Sequence, residues 1–209
     1  MPVKQKNAPS PQVWNKGLEV GQKDAFTPAQ VNRIRDVLSD RRVPGLRDLA
    51  LFQVALDTML LGRDLIALKV KDVQNPSGTI RSVIDVASKK QSIQCALTKR
   101  TATALGKWIK ESGIKRSDYL FPSARYSGAL SVRQFSRLVK SWVIEAGIDP
   151  KNYGTHSLRR TKALHILNST GDLDAVGSLL GHRKLVSTAN YLSIAKRSDP
   201  IALSSAFEI

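Results

Sequence analysis

The chain has a single cysteine, Cys95. No disulfide can form within it, and a reducing, cytoplasmic compartment fits that composition. Cys95 stands in an alternating stretch and reads as a small core residue. No apolar run approaches the roughly 18 residues that a membrane-spanning helix needs. The opening stretch MPVKQKNAPSPQVWNKG lacks the apolar core of a secretory signal. No group of carboxylates has the spacing of a metal site. Acidic residues are scarce: 17 Asp and Glu stand against 33 Lys and Arg, a net charge of +16. That excess is larger than an enzyme of neutral metabolites needs. It favours a polyanionic partner, with nucleic acid ahead of an anionic membrane surface.

What is present is enough for one sizeable core, since 42% of the 209 residues are hydrophobic. Residues 1–22 read as a flexible basic arm, 23–197 as one domain and 198–209 as a tail with Ile201, Leu203 and Phe207 on one face. No internal repeat is found. Thr27-Pro28 is a helix start, with Val31, Ile34 and Leu38 following at helical spacing. Arg42 to Gly45 reads as a loop and Leu46 to Leu60 as a buried helix. Asp64 is set to cap a short helix. Val70 to Val73 begins a strand, NPSG at Asn75–Gly78 is a turn, and IRSVIDVAS and IQCAL are two more strands. From Thr98 the pattern turns helical again, with Gly113 closing one helix and Thr155 capping another. Val132, Phe135, Leu138, Val139 and Trp142 share a face. The expected fold is mainly α with a small three-stranded antiparallel sheet.

Three groups could carry chemistry. His156 and Arg159 lie three residues apart, side by side on a helix. Such a pair can grip one phosphate, the guanidinium by a fork and the imidazole by a single donor. Gly181 can end a helix and put His182 in the following turn, and Tyr191 stands nine residues after that histidine. A phenol becomes a useful nucleophile only beside positive charge and a proton acceptor. Taken singly, H-x-x-R is an ordinary surface pair and a tyrosine on an apolar helix is an ordinary core residue.

The ordered set HSLR, LLGHRKL and NY resembles the tyrosine recombinases, or phage-type integrases, over roughly Lys23 to Leu192, and the wording around it is similar to a short integrase-like subgroup. The resemblance implies the recombinase catalytic-domain fold. It also implies a reaction in which Tyr191 attacks a scissile DNA phosphate, forming a 3′-phosphotyrosyl link and releasing a 5′-hydroxyl. Arg159 would stabilise the phosphorane, His156 would assist proton transfer, and His182 would bond a non-bridging oxygen. A lysine in the strand hairpin would protonate the leaving oxygen; Lys89 and Lys90 stand there, and Lys89 is favoured. The implied partners are double-stranded DNA, further copies of the chain in a tetramer on DNA, and accessory DNA-bending proteins in a bacterial nucleoid. No metal or cofactor is implied.

One position departs from the pattern. The family's first arginine falls at Leu61 when DLIALKVKDV is aligned without gaps. The nearest arginine is Arg63, about 200° further round a helix, unless a turn at Gly62 redirects it. Two functions follow: a site-specific recombinase, or a catalytically impaired DNA-binding protein, regulator or decoy, on the same fold.

Overall fold

The structure is a computed structural model that describes residues 22–41, 43–87, 92–123 and 128–194. Residues 1–21 of the expected arm, the tail over 198–209, Lys89 and Lys90 lie outside the described residues. Helix α1 (Pro28–Ser39) starts as its sequence requires. Thr27 accepts from the Gln30 amide, Gln30 returns a bond to the Thr27 amide, and proline occupies the first turn. Helix α2 (Val43–Thr58) begins earlier than expected, so the presumed loop is already helical. Glycine is needed at position 45, because a Cβ there would stand 2.3 Å from the Arg41 Cβ and 2.8 Å from the Leu38 carbonyl oxygen. The tight connection between α1 and α2 needs the glycine.

Helix α3 (Gly62–Ile66) also begins before the expected cap. Leu61 is its N-cap residue, and Asp64 lies within its first turn. Val70 to Val73 is a short helix, α4 (Val70–Val73), rather than a strand. Both valines are fully buried, and their i, i+3 spacing suits one helical face as well as a strand. Only an isolated bridge from Gln74 to Ile80 marks where a third strand was expected. The sheet is thus two-stranded among the described residues. Strand β1 (Val83–Ala87) pairs antiparallel with β2 (Ser92–Ala96), with Ile84 opposite Cys95. Cys95 is buried, and burial pushes its thiol up to about 11.

Helix α5 (Lys99–Ser112) is capped by Thr98 and closed by Gly113 in the left-handed region. Helix α6 (Val132–Glu145) turns Phe135, Val139 and Trp142 inward, while Val132 is left outside at 47% exposure. The main core joins Phe52, Phe135 and Trp142, with ring edges meeting faces. Its polar pin is Asp48 on α2, which accepts from the Trp142 indole at 3.0 Å and pairs with Arg47 and Arg41.

Helices α7 (Thr155–Thr170), α8 (Leu173–Leu180) and α9 (Leu185–Leu192) form the C-terminal unit. Gly154, not Thr155, is the N-cap of α7, and Thr155 is its first helical residue. A second core of Met59, Ala163, Leu164, Val176, Leu180 and Leu192 binds these three helices to the end of α2. Among the described residues, no helix is long and apolar enough to cross a membrane.

Candidate active site

The stretch LLGH makes a sharp corner. Gly181 takes a φ of 69°, which favours glycine, and ends α8. The His182 amide then donates to the Gly177 carbonyl at 2.9 Å. Gly177 is itself required: a Cβ there would meet the Thr188 hydroxyl at 2.9 Å. That hydroxyl is fully buried and lies 3.1 Å from Nδ1 of His182. Thr188 therefore orients the imidazole and leaves Nε2 as the outward nitrogen.

Tyr191 on α9 meets both histidines and an arginine pair. Its ring centroid is 5.6 Å from that of His182 and 6.5 Å from that of His156, each edge-on. Its hydroxyl stands 3.5 Å from the His156 carbonyl, at the outer limit of a hydrogen bond. The Arg159 guanidinium carbon is 6.0 Å from the ring centroid, and that of Arg160 is 5.7 Å from it. Arg159 is buried and donates to the carbonyls of Met59 and Leu180, the latter at 2.5 Å. Met59 has a φ of 51°, uncommon for a residue with a side chain. That turn points its carbonyl at the guanidinium.

The structure thus brings together His156, Arg159, His182 and Tyr191, from two helices and the corner between α8 and α9. Arg63 is not drawn in. Its side chain is 51% exposed and sits 3.4 Å from the Asp64 carboxylate. Leu61 is half-buried and stands two residues beyond Met59, whose carbonyl holds Arg159. A cavity of about 600 Å³ near Phe26, Arg35 and Arg100 includes none of the four. Arg160 and Thr188 are the residues that sequence reasoning missed. Arg160 lies four residues after His156, a same-face spacing that the motif arginine beside it concealed.

The electrostatics follow from burial and crowding of cations. Burial raises the Tyr191 phenol, while the charges of Arg159 and then Arg160 oppose that rise. Burial lowers His156, and Arg159 and Arg160 lower it further. Burial and Arg159 lower His182. Both imidazoles are therefore neutral at physiological pH. Folding holds them below the ordinary value of 6.5, so the unfolded chain binds protons first as the pH falls. Stability is full above that value and drops as the pH descends toward the folded values. The melting temperature of the DNA-free protein should decline between about pH 7.5 and 5.5, and less so in His156→Gln/His182→Gln. Parallel declines in the two proteins would refute this origin.

Residues 24–198 match the profile of the phage integrase family. Tyrosine recombinase XerC of Xanthomonas axonopodis pv. citri (strain 306) is 34% identical over 147 residues, 70% of this chain and 47% of that protein. The XerC of Shewanella amazonensis (strain ATCC BAA-1098 / SB2B) is 33% identical over 173 residues, 80% of this chain and 55% of that protein. The chain spans about half the length of these curated relatives. Among solved structures, the XerA recombinase matches with a TM-score of 0.68 at 25% identity, over 80% of this chain and 57% of that one. The XerH recombinase bound to a palindromic difH substrate matches with a TM-score of 0.70 at 19% identity, over 88% and 53%, a likeness of fold. With the profile covering most of its length and its fold shared with solved recombinases, this chain belongs to the phage integrase family.

Proposed function

We propose that this chain is a site-specific DNA recombinase that cuts and rejoins strands through Tyr191. The observation that carries the reading is the phenol held among two guanidiniums and two neutral imidazoles. Attack by the Tyr191 oxygen forms a bond to phosphorus, and the bond from phosphorus to the 5′ oxygen breaks. The phenolic proton passes to His156, whose lowered pKa keeps it in the form that accepts one. With the Thr188 hydroxyl donating to Nδ1, His182 carries its proton on Nε2 and donates it to a phosphate oxygen. Arg159, fixed by two carbonyls, neutralises charge on the phosphorane. Lys89 protonates the departing 5′ oxygen. The phosphotyrosyl bond conserves the energy of the diester, so rejoining needs no nucleotide.

Double-stranded DNA is the substrate, and the proteins named above include a recombinase solved on its DNA. Four copies on two sites, with accessory bending proteins, make up the assembly, in the cytoplasm of a bacterium. A specific observation also favours a second reading. Leu61 stands where a phosphate-binding arginine is expected, so a catalytically impaired DNA-binding protein fits the same fold.

Incubation with a nicked suicide duplex tests the first reading, since the nick lets the 5′ strand leave and traps the adduct. A covalent protein–DNA band supports it; intact duplex binding with no band supports the second. Both readings require electrostatic binding. With a net charge of +16, duplex affinity should fall steeply and linearly on a log–log plot against salt, through counterion release. A nearly flat plot would remove the polyanion argument.

A further inference from the structure

Arg160 is given no step in the reaction described above, yet it is among the most deeply placed charges of the domain, 5% exposed. Burying a guanidinium is costly, and an apolar side chain of similar length often packs there more cheaply. Its surroundings show what the charge does. Its guanidinium lies over the Tyr191 ring at 5.7 Å, within cation–π range. Its Nη2 donates to the Ser193 hydroxyl at 3.1 Å. Ser193 is the C-cap of α9, two residues after Tyr191, and takes a φ of 57°. A serine in that region stores strain, which outside bonds must hold. The Ser193 hydroxyl donates to Gln22, and Gln22 donates to the Asn190 carbonyl at 2.8 Å. Arg160 and Gln22 together thus latch the turn that carries the tyrosine.

We propose that Arg160 is a positioning residue for Tyr191: it locks the end of α9 through Ser193 and keeps a second buried cation against the phenol. The inference rests on Tyr191 being the nucleophile. Arg160 acts on the nucleophile, whereas an arginine at position 61 would act on the phosphate. The charged and titratable groups that face the phenol are Arg159, Arg160 and His156 from α7 and His182 from the corner. Asp64 of α3 acts on Arg159. Losing Arg160 removes a charge that opposes the raised phenol pKa.

The test compares wild type, Arg160→Met and Arg160→Lys by two readouts. The first is NMR titration of 13Cζ-tyrosine in the DNA-free protein, with the signal assigned through Tyr191→Phe. Arg160→Met should raise the Tyr191 pKa by about one unit or more, and Arg160→Lys by less. The second is single-turnover adduct formation on the nicked duplex. Arg160→Met should slow it roughly tenfold or more and move its rise with pH to higher pH, with duplex affinity within about threefold. Arg160→Lys should recover most of the rate and the wild-type pH profile, a rescue that repair of the fold alone would not give. Arg160→Met with the wild-type pKa or the wild-type rate profile overturns the proposal. So does Arg160→Lys behaving as Arg160→Met. A wild type that forms no adduct instead sinks the nucleophile reading, and the titration still decides whether Arg160 governs the phenol.

Discussion

Tyr191→Phe should abolish the covalent adduct and leave duplex binding within about twofold of wild type. The substitution removes one oxygen. That oxygen lies 3.5 Å from the His156 carbonyl, at the limit of a hydrogen bond, and also bonds the Arg159 side chain, which keeps two backbone carbonyls as partners, so its loss should cost on the order of 1 kcal/mol. The ring keeps its edge contacts with His156 and His182 and its place under the two guanidiniums. The melting temperature should therefore hardly change, and only the chemistry should vanish. The nearest rival nucleophile in the sequence is Tyr153, and its surroundings are those of a structural residue. Its ring stacks on Phe26 at 4.6 Å, and its hydroxyl is bonded to Gln30. An adduct that survives Tyr191→Phe would overturn the assignment, and mass spectrometry of the DNA-linked peptide would name the residue responsible.

The parts of this site that could be read from sequence are those governed by local rules. Gly181 had to end a helix, so His182 had to fall in a turn, and the structure puts it there. His156 and Arg159 are neighbours on α7 because three residues make nearly one turn. The strands β1 and β2 showed themselves by alternation, with Ile84 and Val86 buried between exposed neighbours. What stayed hidden depends on partners distant in the chain. Val70 and Val73 satisfy a strand and a helical turn equally well, and tertiary packing chose the turn. The carbonyl of Met59 meets Arg159 across 100 residues of sequence, through a backbone turn that no glycine announces. Arg160 was masked by the motif residue beside it, since its hydrogen-bond partner Ser193 lies 33 residues on, just past the end of α9. The larger core draws on helices and on the strand residues Ile84, Val86 and Cys95, and the smaller one joins α7, α8 and α9 to Met59.

Leu61→Arg should raise the rate of adduct formation on the order of 10²-fold, the scale of one preorganised donor to a developing oxyanion. Position 61 is well placed for such a donor. It is the half-buried N-cap residue of α3, two residues past the Met59 carbonyl that anchors Arg159. The expected gain rests on a guanidinium at that position reaching the scissile phosphate when DNA is bound. Asp64, which pairs with Arg63 and acts on Arg159, helps to offset the added charge. Arg63→Ala should change the rate by less than about threefold, because Arg63 is an exposed member of a weak ion pair. The new arginine acts on the phosphate and not on the phenol, so the pH dependence should stay as in wild type while the plateau rises. That separates it from any substitution at Arg160, which should move the profile along the pH axis. Single-turnover cleavage across pH by wild type, Leu61→Arg and Arg63→Ala reads all of this at once. Loss of activity in Arg63→Ala with no gain in Leu61→Arg would mean that Arg63 swings into the site when DNA binds. Absence of an adduct from all three, with duplex binding intact, would establish the DNA-binding reading in place of the recombinase. A gain confined to Leu61→Arg would instead mark the wild type as a recombinase working with one of its phosphate clamps removed.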